Sequence, residues 1–251
     1  MKLARRLRKV WLQWKVADER WYKLLRECQE MIAGYDPAGY YATTYREHEL
    51  GYWNAIPPRL LAFIEANPNR REMRVLDIGC AYGTLALFCQ RAGTGPIHAI
   101  DFVPRYMHQT FAREHQFDFR VANIELEQVP WAGGFDIILF TEVLEHLNFH
   151  PVGTLRKIRG LLNPGGRLYL STPDAARWGR TTKYYQSLEE IPEPGKSERE
   201  LIDDHVWQYS EEEIRGVIES AGLKIIQFEY GMGTKGRHFN LELAAADQPE
   251  K

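Results

Sequence analysis

The sequence predicts an α/β fold, a doubly wound and mostly parallel sheet that follows a helical extension at the N-terminus. From Arg74 onward, short apolar runs alternate with segments of helical spacing, the pattern of a parallel sheet covered by helices on both faces. Within that region, Arg74–Gly83 reads R-V-L-D-I-G-C-A-Y-G, a buried strand followed by a glycine turn and the start of a helix. This arrangement points helix N-terminal N–H groups at a bound ligand.

Composition narrows the class of protein. The chain has 251 residues, enough for one good core and an extension, and its formal net charge of −2 gives no overall field that favours nucleic acid. Its three cysteines, Cys28, Cys80 and Cys89, have no metal-type spacing, so we expect a reducing compartment and a cytoplasmic protein. No apolar run approaches the ~18 residues of a membrane span, and the basic N-terminus lacks the apolar core of a secretory signal.

Residues 1–33 are predicted to form one long amphipathic helix. Its apolar face carries Leu3, Leu7, Val10, Trp11 and Trp14 at spacings of three and four. The opposite face is crowded with Lys2, Arg5, Arg6, Arg8, Lys9 and Lys15. Such a helix either lies on a membrane surface or packs on the domain or on a second subunit as a homodimer contact.

The segment from Tyr40 to Trp53 is unusually aromatic, and it either caps a ligand pocket or packs on the surface. Together with the first helix it forms a predicted N-terminal unit, residues 1–56, ahead of the main domain, residues 57–251. Pro57 and Pro58 are suited to open the next helix, which is predicted to end at Ala66.

The alternating region contains five predicted strands, Arg74–Ile78, Pro96–Ile100, Phe119–Ala122, Phe135–Phe140 and Arg167–Ser171. The helices predicted after them are Thr84–Ala92, Pro104–His115 and Val152–Leu162. Asn163–Gly166, with its proline and two glycines, is predicted to be a turn before the fifth strand.

A long irregular segment, residues 172–207, interrupts this rhythm, and we call it the lid segment. A connection of this length is more typical of a functional lid than of an ordinary loop. Its basic and aromatic residues could stack on a substrate or form a solvated surface; they are Arg177, Trp178, Arg180, Lys183, Tyr184 and Tyr185.

Regular structure resumes at Ser210, which forms a predicted capping box with Glu213. Gly222 is predicted to end that helix. Two further strands, Leu223–Tyr230 and His238–Ala245, then read as a hairpin.

Polar side chains recur at the carboxyl ends of successive strands, where open parallel sheets bind ligands. Asp77 and the glycine turn belong to the first strand, and Asp101 after the second can accept hydrogen bonds from both ribose hydroxyls. Asn123-Ile124 after the third strand suits the edge and face of an adenine. The fourth strand ends in T-E-V-L-E-H-L, residues 141–147. The series predicts a nucleoside site.

These motifs together resemble the class I S-adenosylmethionine-dependent methyltransferases, and the likeness runs from about residue 74 to 245. It rests on V-L-D-I-G-C-A-Y-G, A-I-D, A-N-I-E, F-D-I-I-L-F-T-E-V-L-E-H-L and L-N-P-G-G-R-L-Y-L-S-T-P. The resemblance implies a Rossmann-like, seven-stranded, mostly parallel sheet whose last strand is antiparallel, with S-adenosylmethionine as cofactor. The cofactor-binding residues it implies are Asp77, Gly79, Cys80, Ala81, Gly83, Asp101, Phe102, Asn123, Ile124, Thr141 and Glu142.

Two positions depart from the family pattern. Ala81 stands where the middle glycine of D-x-G-x-G-x-G is usual, and Asn123 stands where an aspartate is common. A nicotinamide dehydrogenase, the competitor of similar architecture, would prefer G-x-G-x-x-G, which this turn does not supply.

The E-V-L-E-H stretch is a candidate metal and catalytic site. On a helical turn, Glu142, Glu145 and His146 would point the same way, and His205 follows 59 residues after His146. This set suits a divalent cation such as magnesium or manganese. A similar pattern is associated with metal in ubiquinone-pathway O-methyltransferases and small-RNA terminal 2′-O-methyltransferases, but it also occurs without metal, where it stabilises the loop.

The predicted function is in-line transfer of a methyl group from S-adenosylmethionine to a hydroxyl oxygen of a small molecule, such as a phenol, a sugar or a natural product. His146 or His205 is the predicted base, because an alcohol must lose its proton. Two alternatives are metal-dependent RNA terminal 2′-O-methylation, for which the sequence shows a poor basic channel, and a non-catalytic assembly partner that binds the cofactor.

Overall fold

A seven-stranded sheet forms the centre of the protein. The computed structural model describes residues 19–195, 200–232 and 236–246. The strands are β1 (Val75–Ile78), β2 (Ile97–Asp101), β3 (Asp118–Val121), β4 (Phe135–Thr141), β5 (Leu162–Pro173), β6 (Leu223–Met232) and β7 (Arg237–Ala245). Their order across the sheet is β3-β2-β1-β4-β5-β7-β6.

The first five strands pair in parallel, whereas β7 runs antiparallel to both β5 and β6. The predicted sheet and its antiparallel hairpin are therefore confirmed. The chain leaves β1 toward β2 on one side, and β4 returns on the other side of β1. In open α/β sheets such a switch point opens a crevice at the carboxyl ends of the strands.

Eight α-helices surround the sheet within the described ranges. They are α1 (Arg20–Ala33), α2 (Arg46–Trp53), α3 (Ile56–Ala66), α4 (Thr84–Ala92), α5 (Gln109–Glu114), α6 (Pro151–Gly160), α7 (Ala175–Trp178) and α8 (Glu211–Ser220). A π-helical turn at Tyr41–Tyr45 precedes α2, and the predicted capping box of Ser210 and Glu213 is present.

The core has one layer on each face of the sheet. Alternate residues of a strand point to opposite faces, so Val75 packs with the layer that contains α1, α3 and α4, whereas Leu76 packs with the layer that contains α6 and α8. All four residues of β1 are buried. Because β1 and β4 are covered on both faces, the carboxyl edge between them is held rigidly.

The helix predicted from Pro104 to His115 is wrong at its start, because α5 begins only at Gln109. The preceding residues turn back toward the glycine loop. A Cβ built on Gly83 would lie 3.1 Å from the end of the Met107 side chain, and the ring of Tyr106 lies 5.4 Å from that of Tyr82. Packing against the loop takes the place of a helical turn here.

The turn predicted at Asn163–Gly166 does not precede β5 but lies inside it. Phe135 pairs with Leu162 and Ile137 with Arg167, so the intervening residues bulge from the strand. Gly166 suits this bulge, because a Cβ there would lie 2.9 Å from the carbonyl oxygen of Phe135.

The described part of the predicted first helix is α1, and it packs on α4 through buried Trp21, Leu25 and Cys28. Residues 1–18, which include the predicted face from Leu3 to Trp14, lie outside the described residues. Contact with a membrane surface or a second subunit therefore stays a prediction. No helix in the described ranges is long and apolar enough to cross a membrane.

The lid segment is mostly irregular in its described part, with α7 and a short 3₁₀ turn at Leu188–Glu190. Asp174, which is 1% exposed, caps α7 by accepting from the Ala176 N–H. The guanidinium of Arg237 donates to the same carboxylate at 2.6 Å. This ion pair fastens the start of the lid segment to β7.

Candidate functional site

The loop after β1 begins and ends with glycines whose backbone is left-handed. Gly79 and Gly83 have φ values of 69° and 78°, in the left-handed region that favours glycine. A Cβ on Gly79 would collide with Cγ2 of Val143. Ala81 is also left-handed, with φ of 43°, so replacing the usual glycine leaves backbone strain in this loop.

Asp101 at the end of β2 braces that loop. Its Oδ2 accepts from the Ala81 N–H at 2.9 Å, and its Oδ1 accepts from the Val103 N–H at 3.0 Å. Burial raises the pKa of Asp101, although the two amide hydrogen bonds oppose the shift. Each oxygen keeps a second lone pair, so the carboxylate can still accept from ribose hydroxyls.

A cleft opens beside this loop at the carboxyl edge of the sheet. Five predicted cofactor residues line it, namely Gly79, Asp101, Phe102, Asn123 and Ile124. Across from them the cleft is lined by Val143, His146, Leu147 and Leu201. Phe102 is 45% exposed, which leaves its ring available to a bound ligand.

The remaining predicted cofactor residues lie around the cleft and do not line it. Cys80, Ala81 and Gly83 belong to the loop behind it, and Asp77 is buried beneath the loop. Burial, followed by the nearby Asp101 carboxylate, raises the pKa of Asp77 to about 8. Thr141 and Glu142, the last two, end β4 and begin the following turn.

Asn123 is already engaged in a local turn. Its side-chain oxygen accepts from the Glu125 N–H at 2.8 Å, and its backbone N–H donates to Glu127 at 2.8 Å. The buried carboxylate of Glu125 in turn accepts from the N–H groups of Asn148 and Phe149, at 3.0 and 2.8 Å. The predicted adenine side of the cleft is thereby linked to the loop after β4.

The prediction that Glu142 shares one helical face with Glu145 and His146 is wrong. Glu142 has φ of 56°, and the only helical structure nearby in the described chain is a 3₁₀ turn at Leu144–His146. Its carboxylate accepts from the Ser171 hydroxyl at 2.7 Å and lies 3.0 Å from Nδ1 of His238. The Glu142 carboxylate is thus engaged with Ser171 and His238, although its charge still acts on Glu145, His146 and His205.

Those other ligands do come together. One ligand atom each from Glu145, His146 and His205 lies within 4.8 Å of the others, which is close enough to hold a metal ion. The Glu145 Oε2 accepts from the Thr172 hydroxyl at 2.9 Å, while its buried Oε1 has no hydrogen-bond partner within the described ranges. An orphaned carboxylate oxygen beside two imidazoles fits a divalent cation.

The protonation of this cluster follows from its burial. Desolvation lowers the pKa of His146 and lowers that of His205 to about 4, where the neighbouring His146 adds to the effect. Desolvation raises the pKa of Glu145, with a further rise from the Glu142 charge. Both imidazoles are therefore neutral near pH 7 and can bind a cation or accept a proton.

Backbone contacts hold the three residues in place. The Glu145 carbonyl accepts from the N–H groups of Val206 and Trp207, at 2.7 and 3.1 Å. The His146 Nδ1 lies 3.0 Å from the Asp204 carbonyl oxygen, which leaves Nε2 toward Glu145 at 4.0 Å. The end of the lid segment is thus fixed against the turn after β4.

Aromatic rings surround this end of the site. Trp178 stacks on His205 at 5.7 Å and meets His238 edge-on at 5.2 Å, while Tyr52 lies 4.9 Å from His238. On the loop side, Tyr41 packs on Tyr82 at 4.7 Å. The aromatic segment from Tyr40 to Trp53 therefore contacts the glycine loop through Tyr41 as well as His238 through Tyr52.

Two basic residues of the lid segment, Lys183 and Arg180, form ion pairs within the chain. Lys183 lies 3.1 Å from Asp204, whose Oδ2 also accepts from the Tyr184 hydroxyl at 2.8 Å. These bonds, with that from the His205 N–H, lower the pKa of Asp204 to about 2. Arg180 pairs with Glu213. These pairings do not favour a basic channel for nucleic acid in the described part of the lid segment.

Sequence reasoning missed His238 and Tyr52. The sequence places His238 only as the first residue of a predicted hairpin strand, and Tyr52 only as one member of an aromatic run. The strand also carries Asn240 and Glu242, so no pattern in the sequence singles out His238.

The chain belongs to the methyltransferase-domain family, whose model matches residues 45–228. This confirms the class indicated by the motifs, the class I S-adenosylmethionine-dependent methyltransferases. Among curated proteins, a ubiquinone biosynthesis O-methyltransferase of Xanthomonas axonopodis pv. citri (strain 306) is 36% identical over 125 residues. That match covers 47% of this chain and 51% of the relative, so the chain spans about half the length of the curated relatives it matches.

Solved structures show the same fold. Magnesium protoporphyrin IX methyltransferase from Synechocystis PCC 6803 with bound SAH has a TM-score of 0.59 at 19% identity, covering 88% of this chain and 93% of that one. The N-methyltransferase NodS from Bradyrhizobium japonicum WM9 has a TM-score of 0.51 at 19% identity, covering 76% and 94%. At these identities the likeness concerns the fold alone, and it does not indicate which atom of the substrate accepts the methyl group.

Proposed function

We propose that this chain transfers the methyl group of S-adenosylmethionine to a hydroxyl oxygen of a small molecule. The observation that carries the proposal is the cluster of Glu145, His146 and His205 at the carboxyl edge of the sheet, directly beside the cleft that His146 helps to line. A hydroxyl group is a weak nucleophile until its proton is removed, whereas a sulfonium methyl group is already activated. A cation held by this cluster would make that proton easier to remove.

The cleft suits the nucleoside end of the donor. Gly79 lines the cleft, and a Cβ there would collide with Val143, which lines it too. We assign Asp101, which also lines the cleft, to the ribose hydroxyls, and Asn123 with Ile124 to the adenine. The chain's contribution is to hold donor and acceptor in line and to exclude water.

The walls of the acceptor side support a planar or aromatic substrate. Trp178, Tyr52 and Tyr45 offer flat rings around the histidines and Glu142. Ring stacking orients a planar phenol at little conformational cost. The partial likeness to ubiquinone biosynthesis O-methyltransferases agrees with a phenolic hydroxyl as acceptor.

We also propose that Glu145, His146 and His205 hold a divalent cation, magnesium or manganese. A bound cation would lower the pKa of an acceptor hydroxyl. The buried orphan Oε1 of Glu145 supports this assignment, as does the neutral state of both imidazoles. The sequence suggested Glu142 as a fourth ligand of the cation. We leave it out of the proposed ligand set, because its carboxylate is paired with His238.

The test is transfer of isotope-labelled methyl groups to a panel of catechol, a simple sugar, aniline and a short RNA, with products identified by mass spectrometry. We expect methylated catechol, and loss of the product in excess chelator with recovery on adding manganese. Methylation of aniline alone would contradict oxygen transfer. Turnover that is unaffected by chelator would remove the cation.

A further inference from the structure

A second histidine–carboxylate pair lies apart from the cluster of Glu145, His146 and His205. Nδ1 of His238 lies 3.0 Å from Oε2 of Glu142, and Glu142 also accepts from the Ser171 hydroxyl at 2.7 Å. The His238 side chain is 0% exposed. Its other ring nitrogen, Nε2, is buried and has no hydrogen-bond partner among the described residues.

A buried imidazole nitrogen without a partner calls for an explanation, because an unsatisfied buried polar atom destabilises the folded state. The tautomer is set by the neighbouring group: a carboxylate at Nδ1 holds the proton there and leaves a lone pair on Nε2. That lone pair is the form in which a histidine accepts a proton from a substrate.

The position of the pair agrees with such a role. In β7, His238 is paired with Pro173 at the carboxyl end of β5, next to Glu142 at the end of β4. The histidine ring lies between the rings of Tyr52 and Trp178, at 4.9 and 5.2 Å. These are the aromatic side chains that we assign to the acceptor.

We propose that Glu142 and His238 form a catalytic dyad in which Nε2 of His238 removes the proton from the acceptor hydroxyl. This inference rests on the proposed function. As the O–H bond breaks, its proton moves to Nε2, and the oxygen forms a bond to the methyl carbon. The bond between that carbon and sulfur breaks with its electron pair remaining on sulfur, so the sulfonium becomes a neutral thioether. The Glu142 carboxylate stabilises the imidazolium that results.

The other two histidines lack this arrangement. Nδ1 of His146 faces the backbone carbonyl of Asp204 and not a carboxylate. The ring of His205 lies 4.6 Å from that of His146, so a proton on one disfavours a proton on the other. Among the three histidines of the site, His238 is the one whose Nδ1 faces a carboxylate, that of Glu142. A carboxylate in this position stabilises the positive charge that proton transfer places on the imidazole.

The experiment compares two acceptors of different acidity in single-turnover methylation by the full chain. Catechol needs a base, whereas the nitro group of 4-nitrocatechol lowers its phenolic pKa, so that much of it is already ionised at pH 8. We expect H238N to lose about 10²–10⁴-fold with catechol and less than about tenfold with 4-nitrocatechol. E142Q should show the same pattern with a smaller loss.

The control is H205N, which removes a ligand of the proposed cation. Because that cation would also lower the pKa of the hydroxyl, H205N should lose more with catechol than with 4-nitrocatechol and should recover in part in excess manganese, whereas H238N should not recover. Calorimetry with S-adenosylhomocysteine checks that each variant keeps its cofactor site. Equal losses of H238N with both acceptors would overturn the dyad. A selective loss with catechol in H205N alone would move the base to His205.

A readout without turnover separates this inference from the proposed function. In nitrogen NMR of histidine-labelled protein, the His238 signals are those absent in H238N. We expect the His238 ring to carry its proton on Nδ1 near pH 7, and we expect this tautomer to change in E142Q. An Nε2–H tautomer, or no response to E142Q, would overturn the dyad. If the wild type methylates neither catechol nor 4-nitrocatechol but the NMR result is as expected, the proposal of a phenolic acceptor is wrong, whereas the pairing of Glu142 with His238 is confirmed.

Discussion

His238 Nδ1 and Glu142 Oε2 lie 3.0 Å apart although 96 residues separate them in the chain. The contact joins the last strand to the turn after β4, across the end of β5. It brings an imidazole from the final hairpin to the edge of the sheet where the cleft lies. The described chain thus has two carboxylate–histidine groups near the carboxyl edge of the sheet, that of Glu142 with His238 and that of Glu145 with His146 and His205.

Ala81→Gly should stabilise the protein by about 1 kcal/mol. Ala81 has φ of 43°, a backbone conformation that costs an alanine about 1–2 kcal/mol more than a glycine. Part of this gain is offset in the variant, because a glycine loses more conformational entropy on folding. The measurement is the free energy of unfolding in urea. The matched control is Ala62→Gly on the exposed face of α3, which should lose about 1 kcal/mol. Losses at both positions would contradict strain in the loop.

Arg237→Ala should destabilise the protein by about 3 kcal/mol, because it leaves the buried Asp174 carboxylate without its cation. The start of the lid segment should also loosen, so trypsin should cleave sooner after Arg177 or Arg180. Urea unfolding and timed proteolysis measure the two effects. Arg215→Ala is the control, since its ion pair with Glu211 is half exposed and worth about 0.5 kcal/mol. Equal effects of the two variants would contradict the role of the buried pair.

Glu49 gives a pH-dependent prediction. Its carboxyl group is 3% exposed and is bonded to Gln29, Tyr41 and Thr84, at 2.9, 3.1 and 2.7 Å. Burial raises its pKa from 4.5 to about 7, so the folded state binds the proton more tightly than the unfolded state. This contribution is fully present below pH 4.5 and is lost as the pH rises to about 7. The change amounts to about 3 kcal/mol.

Glu49→Gln should remove that slope from the free energy of unfolding, measured in urea at pH 4.5, 6 and 8. The variant should be more stable than the wild type at pH 8, because it carries no buried charge. Glu47→Gln on the same helix is the control, since Glu47 forms an exposed pair with Arg26 and should leave the slope unchanged. An unaltered slope in the Glu49 variant would refute the buried-acid interpretation.

Much of the fold could be predicted from local sequence. The helix Thr84–Ala92 has the predicted bounds, and the glycine loop before it has the left-handed backbone expected of Gly79 and Gly83. These features depend on residues close together in the chain, where spacing and glycine content carry the information. The placement of Asp101 at the cleft follows from the same local rule, because strand ends of a parallel sheet share one edge.

The errors arise where tertiary contacts decide. Glu142 was grouped with His146 by the four-residue spacing, which holds only on a helix, and Glu142 is left-handed. Its partner His238 depends on the register of β7 against β5, which no local pattern specifies. The buried bonds of Glu49 to Gln29 and Thr84 are likewise long-range, and the sequence does not distinguish Glu49 from the exposed Glu47 two residues before it.

Binding of the donor tests the central claim most directly. We would titrate S-adenosylmethionine and S-adenosylhomocysteine into the wild type, Asp101→Ala and the control Asp118→Ala, which removes a carboxylate from the neighbouring strand outside the cleft. We expect micromolar binding by the wild type and the control. Binding should be at least about tenfold weaker in Asp101→Ala, since each hydrogen bond to a carboxylate contributes about 1.5–3 kcal/mol. A folded wild type that binds neither compound, or an Asp101→Ala variant that binds both as the wild type does, would contradict the account.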